Sequence, residues 1–137
     1  MKFTFQILRN KHVRQEEIEK LRAEVGWDTM KGKYNRILKK VYTYYSVRKN
    51  KNLIGFLSVL SDGTGDAFLL DLMVHPDFRG KGVGSGLIKK AVMDLKREGI
   101  KSIQVTFCRD LESFYKKFGF HIIRAGIIDN DNMNVYF

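Results

Sequence analysis

"RGKGVGSGLIKK", residues 79–90, decides how this chain folds. Four of the twelve glycines in the 137-residue sequence stand in it, one at every second position from Gly80 to Gly86. The run before it, "AFLLDLMV" at 67–74, is almost continuously apolar and predicts a central strand covered on both faces. After it, Leu87, Ile88, Ala91, Val92 and Leu95 recur at helical spacing, and Gly99 marks the stop. A strand that feeds a glycine turn that feeds a helix is an anion trap. The first amides of a helix lack intrahelical partners and carry partial positive charge. Glycine lets the backbone approach a phosphate and adopt positive φ, and Arg79 and Lys81 add formal charge at the mouth.

Working outward, "FTFQIL" (3–8) alternates as a half-buried strand does. Asn10 is placed to cap a helix whose Ile18, Leu21 and Val25 share one face, with Gly26 as its stop. Asp28 is placed to cap a second helix bearing Met30, Tyr34, Ile37 and Leu38. "VYTYYSV" (41–47) and "LIGFLSVL" (53–60) are rich in β-branched and aromatic residues, and "KNKN" joins them as a hairpin. "SIQVTFC" (102–108) predicts a strand. Asp110 is placed to cap the short helix "LESFYKKF", stopped by Gly119. "FHIIRAG" (120–126) and "MNVYF" (133–137) predict a closing hairpin. With no repeat and no linker, the chain predicts one α/β domain over residues 1–137. Its sheet is mixed and mostly antiparallel, with helices on both faces and one parallel pair made by the central β-α-β unit.

The bulk composition bounds the function. A hydrophobic fraction of 44% supplies a core, so disorder is excluded. No run approaches the ~18–20 apolar residues of a membrane span, and the N-terminus does not read as a signal peptide. The single cysteine, Cys108, permits no internal disulfide, which points to the cytoplasm, and reads as a small core hydrophobe. Three scattered histidines and the absence of CxxC and HExxH patterns predict no metal site. Twenty-five Lys and Arg against fifteen Asp and Glu give a net charge of +10, which favours anionic partners. "VYTYYSVRKNK" interleaves aromatics and cations as a nucleic-acid surface would, but its alternation fits a core strand equally well, and no nucleic acid is expected.

Two phosphate fingerprints fail. GxGxxG needs a glycine at 85 or 87, where Ser85 and Leu87 stand, and the Walker pattern finds no matching Lys-Ser/Thr. What remains is R-x-x-G-x-G, at Arg79, Gly82 and Gly84. In "VHPDFRGKGVG" (74–84) it resembles the acyl-CoA-binding motif of the GNAT N-acetyltransferase superfamily. "GFLSVLSDGTGDAFLLDLMVHP" resembles that family's central strands, and "FYKKFGF" (114–120) resembles its late helix and following strand. The resemblance runs from Leu53 onward.

It implies a splayed parallel strand pair with the pantetheine arm of acetyl-CoA in the gap, bonded to the main chain of Met73 and Val74. The Val74 amide matches the position that faces the thioester carbonyl. The pyrophosphate would rest on the amides of Gly80, Lys81, Gly82, Val83, Gly84 and Ser85, beside Arg79 and Lys81. Lys89 and Lys90 read as a solvated helix face that could also reach the 3′-phosphate. Tyr115 matches the residue that protonates the leaving thiolate. The family's basic glutamate falls on Leu70 or Phe68, neither of which can serve. Asp71 is adjacent but of opposite strand parity unless a bulge re-aims it, and reads as a cap for nearby amides. Glu24, Asp28 or a water-mediated route stay open. Trp27 and Tyr34 could form an aromatic pocket for an amine, or Trp27 could staple two helices together. The implied activity is acetyl transfer from acetyl-CoA to a primary amine, on a small molecule or an amino terminus. The alternative is a CoA-binding regulatory or catalytically degenerate domain. A homodimer is left open.

Overall fold

The apolar runs on either side of the glycine segment become the strand and helix they predict. In the computed structural model, which describes residues 3–130, the elements are β1 (Ile7–Arg9), α1 (Gln15–Glu24), α2 (Tyr34–Lys40), β2 (Thr43–Lys49), β3 (Asn52–Ser61), β4 (Asp66–Val74), α3 (Val83–Arg97), β5 (Ser102–Val105) and α4 (Glu112–Lys116). The strands form one sheet in chain order. β1 to β4 pair antiparallel, and β4 pairs parallel with β5.

Strand alternation divides the core into two layers. On one face Tyr45, Val47, Leu57, Val59 and Leu69 pack under Val83, Leu87, Ile88, Ala91 and Leu95 of α3. On the other, Phe56 and Met73 pack under Ile18 and Leu21 of α1 and Tyr34 of α2. Helices therefore cover both faces, as the sequence predicts. The helix stops at Gly26, Gly99 and Gly119 also hold, with φ of 85°, 83° and 93°.

Several local expectations are corrected. Asn10 does not cap α1: its Oδ1 accepts from the Tyr44 amide at 3.0 Å and from the Thr43 hydroxyl at 2.9 Å, tying β1 to β2. The helix starts four residues later, where Glu17 reaches back to the Arg14 amide at 2.9 Å. Asp28 caps no helix; its carboxylate accepts from the Met30 amide at 3.3 Å in the turn before α2. Asp110 lies inside a 3₁₀ turn, Arg109–Leu111, rather than at a cap. β5 ends at Val105, short of Cys108. Residues 120–126 form no strand, and 133–137 lie outside the described residues. β4 is buried under α3 but only partly covered on its other face, where Phe68 is 41% exposed.

β4 is also irregular. Ser58 pairs with Leu70 and Phe56 with Met73, so Asp71 and Leu72 together oppose Leu57 alone. This is a β-bulge, with Asp71 at φ 58°.

Candidate active site

The parallel pair between β4 and β5 ends at Leu69 and Val105, while β4 continues to Val74. From Leu70 onward β4 has no neighbour on that side among the described residues, which opens a cleft at the carboxyl end of a parallel pair. The cleft is a groove of about 580 Å³ between Leu72, Met73 and Val74 on one wall and Leu111, Phe114 and Tyr115 on the other. Ladder geometry sets which amides face it. The His75 N–H bonds the Ile54 carbonyl at 2.8 Å, so by alternation Met73 bonds toward β3 and Val74 turns its amide outward. Of the two residues expected to meet the pantetheine arm, Val74 thus presents a free N–H, and Met73 is buried under α1 and α2.

The glycine loop lines the same groove. Gly82 is the N-cap of α3, at φ 86° in the left-handed region. No side chain caps the helix, and the Gly86 amide is the first to reach back, to Gly82 O at 2.9 Å. The amides of Val83, Gly84 and Ser85 are therefore the unpartnered first-turn donors, and Gly82, Gly84 and Ser85 line the groove. A Cβ at Gly84 would lie 3.5 Å from Val74 Cγ2 and 3.7 Å from the Phe114 ring, so the bare backbone leaves the passage between them open. Gly86 does something else: a Cβ there would meet Phe5 at 3.1 Å and Ile7 at 3.2 Å, so this glycine seats α3 on the N-terminal segment. Arg79 folds back, Nε donating to the Val74 carbonyl at 3.3 Å, and Lys81 lies 5.8 Å from the Phe3 ring. Lys90 pairs with Asp94 at 3.1 Å; Lys89 is exposed. This combination of free amides, a left-handed glycine and an exposed cation fits a pyrophosphate.

Tyr115 stands across the groove. Its ring stacks on Phe107 at 4.6 Å and meets Phe114 edge-on at 5.0 Å, so α4 and the loop before it fix its direction. Burial pushes its hydroxyl up to about 12. It is therefore a phenol, not a phenolate, at neutral pH.

The bulge delivers a carboxylate that sequence parity places on the wrong face. Asp71 is turned toward α1 and α2, where Oδ2 accepts from the Tyr34 hydroxyl at 2.8 Å and Oδ1 from Arg22 Nη1 at 3.3 Å. It caps no backbone amide, contrary to the sequence reading. Arg22 Nη1 also donates to the Tyr34 oxygen at 2.9 Å, and Nε to the Asp28 carbonyl at 2.5 Å. The turn at Gly26 carries Trp27 back over the Arg22 guanidinium, 5.3 Å from the ring centre. Trp27 lines the groove and is 42% exposed, so it does not staple helices; Tyr34 is fully buried and offers no open ring face. Burial, and then the Asp71 charge, raise the Tyr34 proton affinity, keeping it a donor. Glu24 is committed to His75 Nε2, while His75 Nδ1 accepts from the Asp77 amide at 3.0 Å.

The structure thus brings Val74, Arg79, Gly80, Gly82, Val83, Gly84, Ser85 and Tyr115 to one groove, with Met73 in its wall. Sequence reasoning missed Arg22, which reads as an ordinary helix-surface cation. It also missed Lys117, which lines the groove 5.0 Å from the Phe114 ring and could have been found as the second lysine of "FYKKFGF". Among the described residues no cluster of three or more His, Cys, Asp or Glu could hold a metal ion.

This architecture is that of an acetyltransferase fold. Residues 40–122 match the family model of the acetyltransferase (GNAT) domain, and the chain belongs to that family. It is 34% identical over 122 residues to an uncharacterized N-acetyltransferase, ycf52, of Gracilaria tenuistipitata var. liui, covering 81% of this chain and 64% of that one. It is 33% identical over 116 residues to the protein of the same name from Pyropia yezoensis, covering 81% and 67%. The chain therefore spans about two-thirds of the length of these relatives. In fold it resembles a GNAT-family acetyltransferase from Streptococcus pneumoniae, with a TM-score of 0.76 at 24% identity over 93% of this chain and 98% of that one.

Proposed function

We propose that the chain transfers an acetyl group from acetyl-CoA directly to a primary amine, on a small molecule or an amino terminus. One observation carries this reading. β4 parts from β5 so that a single groove is lined by the first turn of α3, by Val74 with its outward amide and by Tyr115. Acetyl-CoA supplies the activated acyl carbon and a thiolate leaving group.

The first-turn amides of α3 hold the diphosphate, with Arg79 and Lys81 beside them. The Val74 N–H points where negative charge develops on the carbonyl oxygen. The amine nitrogen forms the new C–N bond as the C–S bond breaks. An ammonium acceptor sheds two protons in all. One reaches the thiolate from Tyr115, which is then reprotonated, and the other leaves through the groove to solvent. The amine itself is the nucleophile, so no acyl-enzyme is needed. No helix among the described residues is long and apolar enough to cross a membrane. With one cysteine, a reducing compartment such as the cytoplasm suits the chain.

A thiol-release assay with acetyl-CoA and a panel of primary amines tests the reading. Tyr115→Phe is expected to lower kcat by roughly 10²–10⁴ while leaving the acetyl-CoA KM within about twofold. An unchanged kcat removes Tyr115 from the chemistry. Tight CoA binding with no release for any amine favours the degenerate-domain reading, which the apolar Phe68 and Leu70 keep alive. Because folding raises the Tyr115 value from 10.0 to about 12, its contribution to stability is whole below pH 10 and is lost as pH rises toward 12. Alkaline unfolding curves should show wild type losing more stability across that window than Tyr115→Phe.

A further inference from the structure

We propose that Asp71 receives the protonated acceptor amine, and that Arg22 and Tyr34 are positioning residues that hold its carboxylate in place beside Trp27. The proposal rests on the groove being a transferase site and names the group that meets the acceptor next to the groove wall formed by Leu72, Met73 and Trp27.

The backbone gives the first argument. A non-glycine residue at φ 58° costs roughly 1–2 kcal/mol, yet β4 takes this conformation at an aspartate inside an apolar run. The effect is to move one carboxylate from the α3 face to the α1 and α2 face, where a guanidinium and a phenol meet it. A strand that only had to pack would carry a leucine or valine there, with no bulge.

Acceptor counting gives the second. An ionised carboxylate offers about four acceptor positions. Arg22 and Tyr34 take two, one on each oxygen, and the Asp71 side chain remains 27% exposed. The remaining positions are open to an incoming N–H. Arg22 cannot take that role itself. Its side chain is 8% exposed and is tied to Asp28, Tyr34 and Asp71 while lying against the rings of Trp27 and Tyr34. Of the other nearby carboxylates, Glu24 faces His75 and Asp28 stands exposed in the turn before α2, without the buried partners that fix Asp71.

Charge gives the third. Arg22 already balances Asp71, so the arrival of one ammonium leaves a single net positive charge, and the +10 chain around it opposes more. The subsite therefore suits a monoamine with an apolar stem against Trp27 rather than a polyamine.

Trp27 is the sole tryptophan, so its emission reports this subsite directly. The probe is n-butylamine, titrated into the full chain at neutral pH, with n-butanol and spermidine as comparisons. Expected is a saturable change with n-butylamine, none with n-butanol, and weaker affinity for spermidine. Asp71→Asn should weaken n-butylamine at least about tenfold. Tyr34→Phe, which deletes only the hydroxyl, should weaken it about threefold while the emission of the free protein stays the same. Arg22→Lys should recover part of the affinity lost in Arg22→Met. Equal responses to n-butylamine and n-butanol, no response to n-butylamine, or wild-type affinity in Asp71→Asn overturns the proposal. CoA calorimetry on the same proteins separates the two readings. If Asp71→Asn binds CoA normally but loses n-butylamine, both stand. If wild type binds n-butylamine through Asp71 but not CoA, the subsite stands and the transferase reading falls.

Discussion

Three residues on the path from β4 into α3 leave ordinary backbone geometry, Asp71 at φ 58°, Gly80 at φ 73° and Gly82 at φ 86°, and the aspartate and the glycines do so as opposite kinds of residue. Gly82 has open space where a side chain would stand, with nothing within 4 Å. What the site needs there is bare backbone, so the residue without a Cβ takes the left-handed region at no steric cost. Asp71 carries a side chain into the same region because that side chain is what must be delivered. Its strain is offset by the bonds from Tyr34 and Arg22. A ligand that meets main chain selects glycine; a ligand that meets a carboxylate selects a bulge.

The comparison is broken most forcefully at Gly82. Gly82→Asp puts a carboxylate at the start of α3, where there is room for the side chain but the left-handed backbone strains it by roughly 1–2 kcal/mol. The fold should hold while the added charge opposes the diphosphate. We expect CoA affinity to fall by about a hundredfold or more, while unfolding shows only the strain of roughly 1–2 kcal/mol. Unaltered affinity in calorimetry would mean the amides do not grip the cofactor.

Asp71→Gly makes the reverse cut. Glycine accepts φ 58° without strain, so the bulge survives and only the carboxylate is lost. Buried Arg22 then lacks its counter-ion, which predicts a loss of about 2 kcal/mol in urea unfolding, with CoA affinity retained. Stability equal to wild type would show that the strain relieved matches the pair removed.

Gly86 separates packing from recognition within the loop itself. Gly86→Val drives methyl groups into Phe5 and Ile7 and should lower stability by about 1–3 kcal/mol. Its amide already bonds Gly82, so CoA affinity should stay within about threefold. A large affinity loss would move Gly86 from the seat of α3 to the cradle.

The same contrast explains what the sequence disclosed. Glycines at 80, 82 and 84 between an apolar strand and an amphipathic helix were legible because their residue type is the signal, and so was the parallel pair in a mostly antiparallel sheet. The bulge was not, because an aspartate at positive φ is indistinguishable in sequence from one in a regular strand. Its register depends on β3 pairing that no local pattern encodes. Arg22 stayed hidden for a related reason: its partners Asp28, Tyr34 and Asp71 lie on other segments and meet it only after folding. Asn10 and Asp28 were misassigned as caps because a capping side chain is equally able to bond a neighbouring strand or turn.

The hairpin "KNKN" offers the gentlest version of the test, far from any ligand. Asn50 and Lys51 both sit at positive φ, 51° and 71°, between the paired residues Lys49 and Asn52, which is a two-residue turn of the type that favours Asn-Gly. Lys51 is exposed, and only its carbonyl is used, accepting from Arg48 Nη1 at 3.1 Å. Here strain delivers no side chain, so removing it should be simple gain. Lys51→Gly is expected to raise stability by about 0.5–1 kcal/mol, read as a higher urea midpoint at constant slope. A lower midpoint would mean that the lysine side chain stabilises the turn, and that strain in this protein is tolerated only where a side chain repays it.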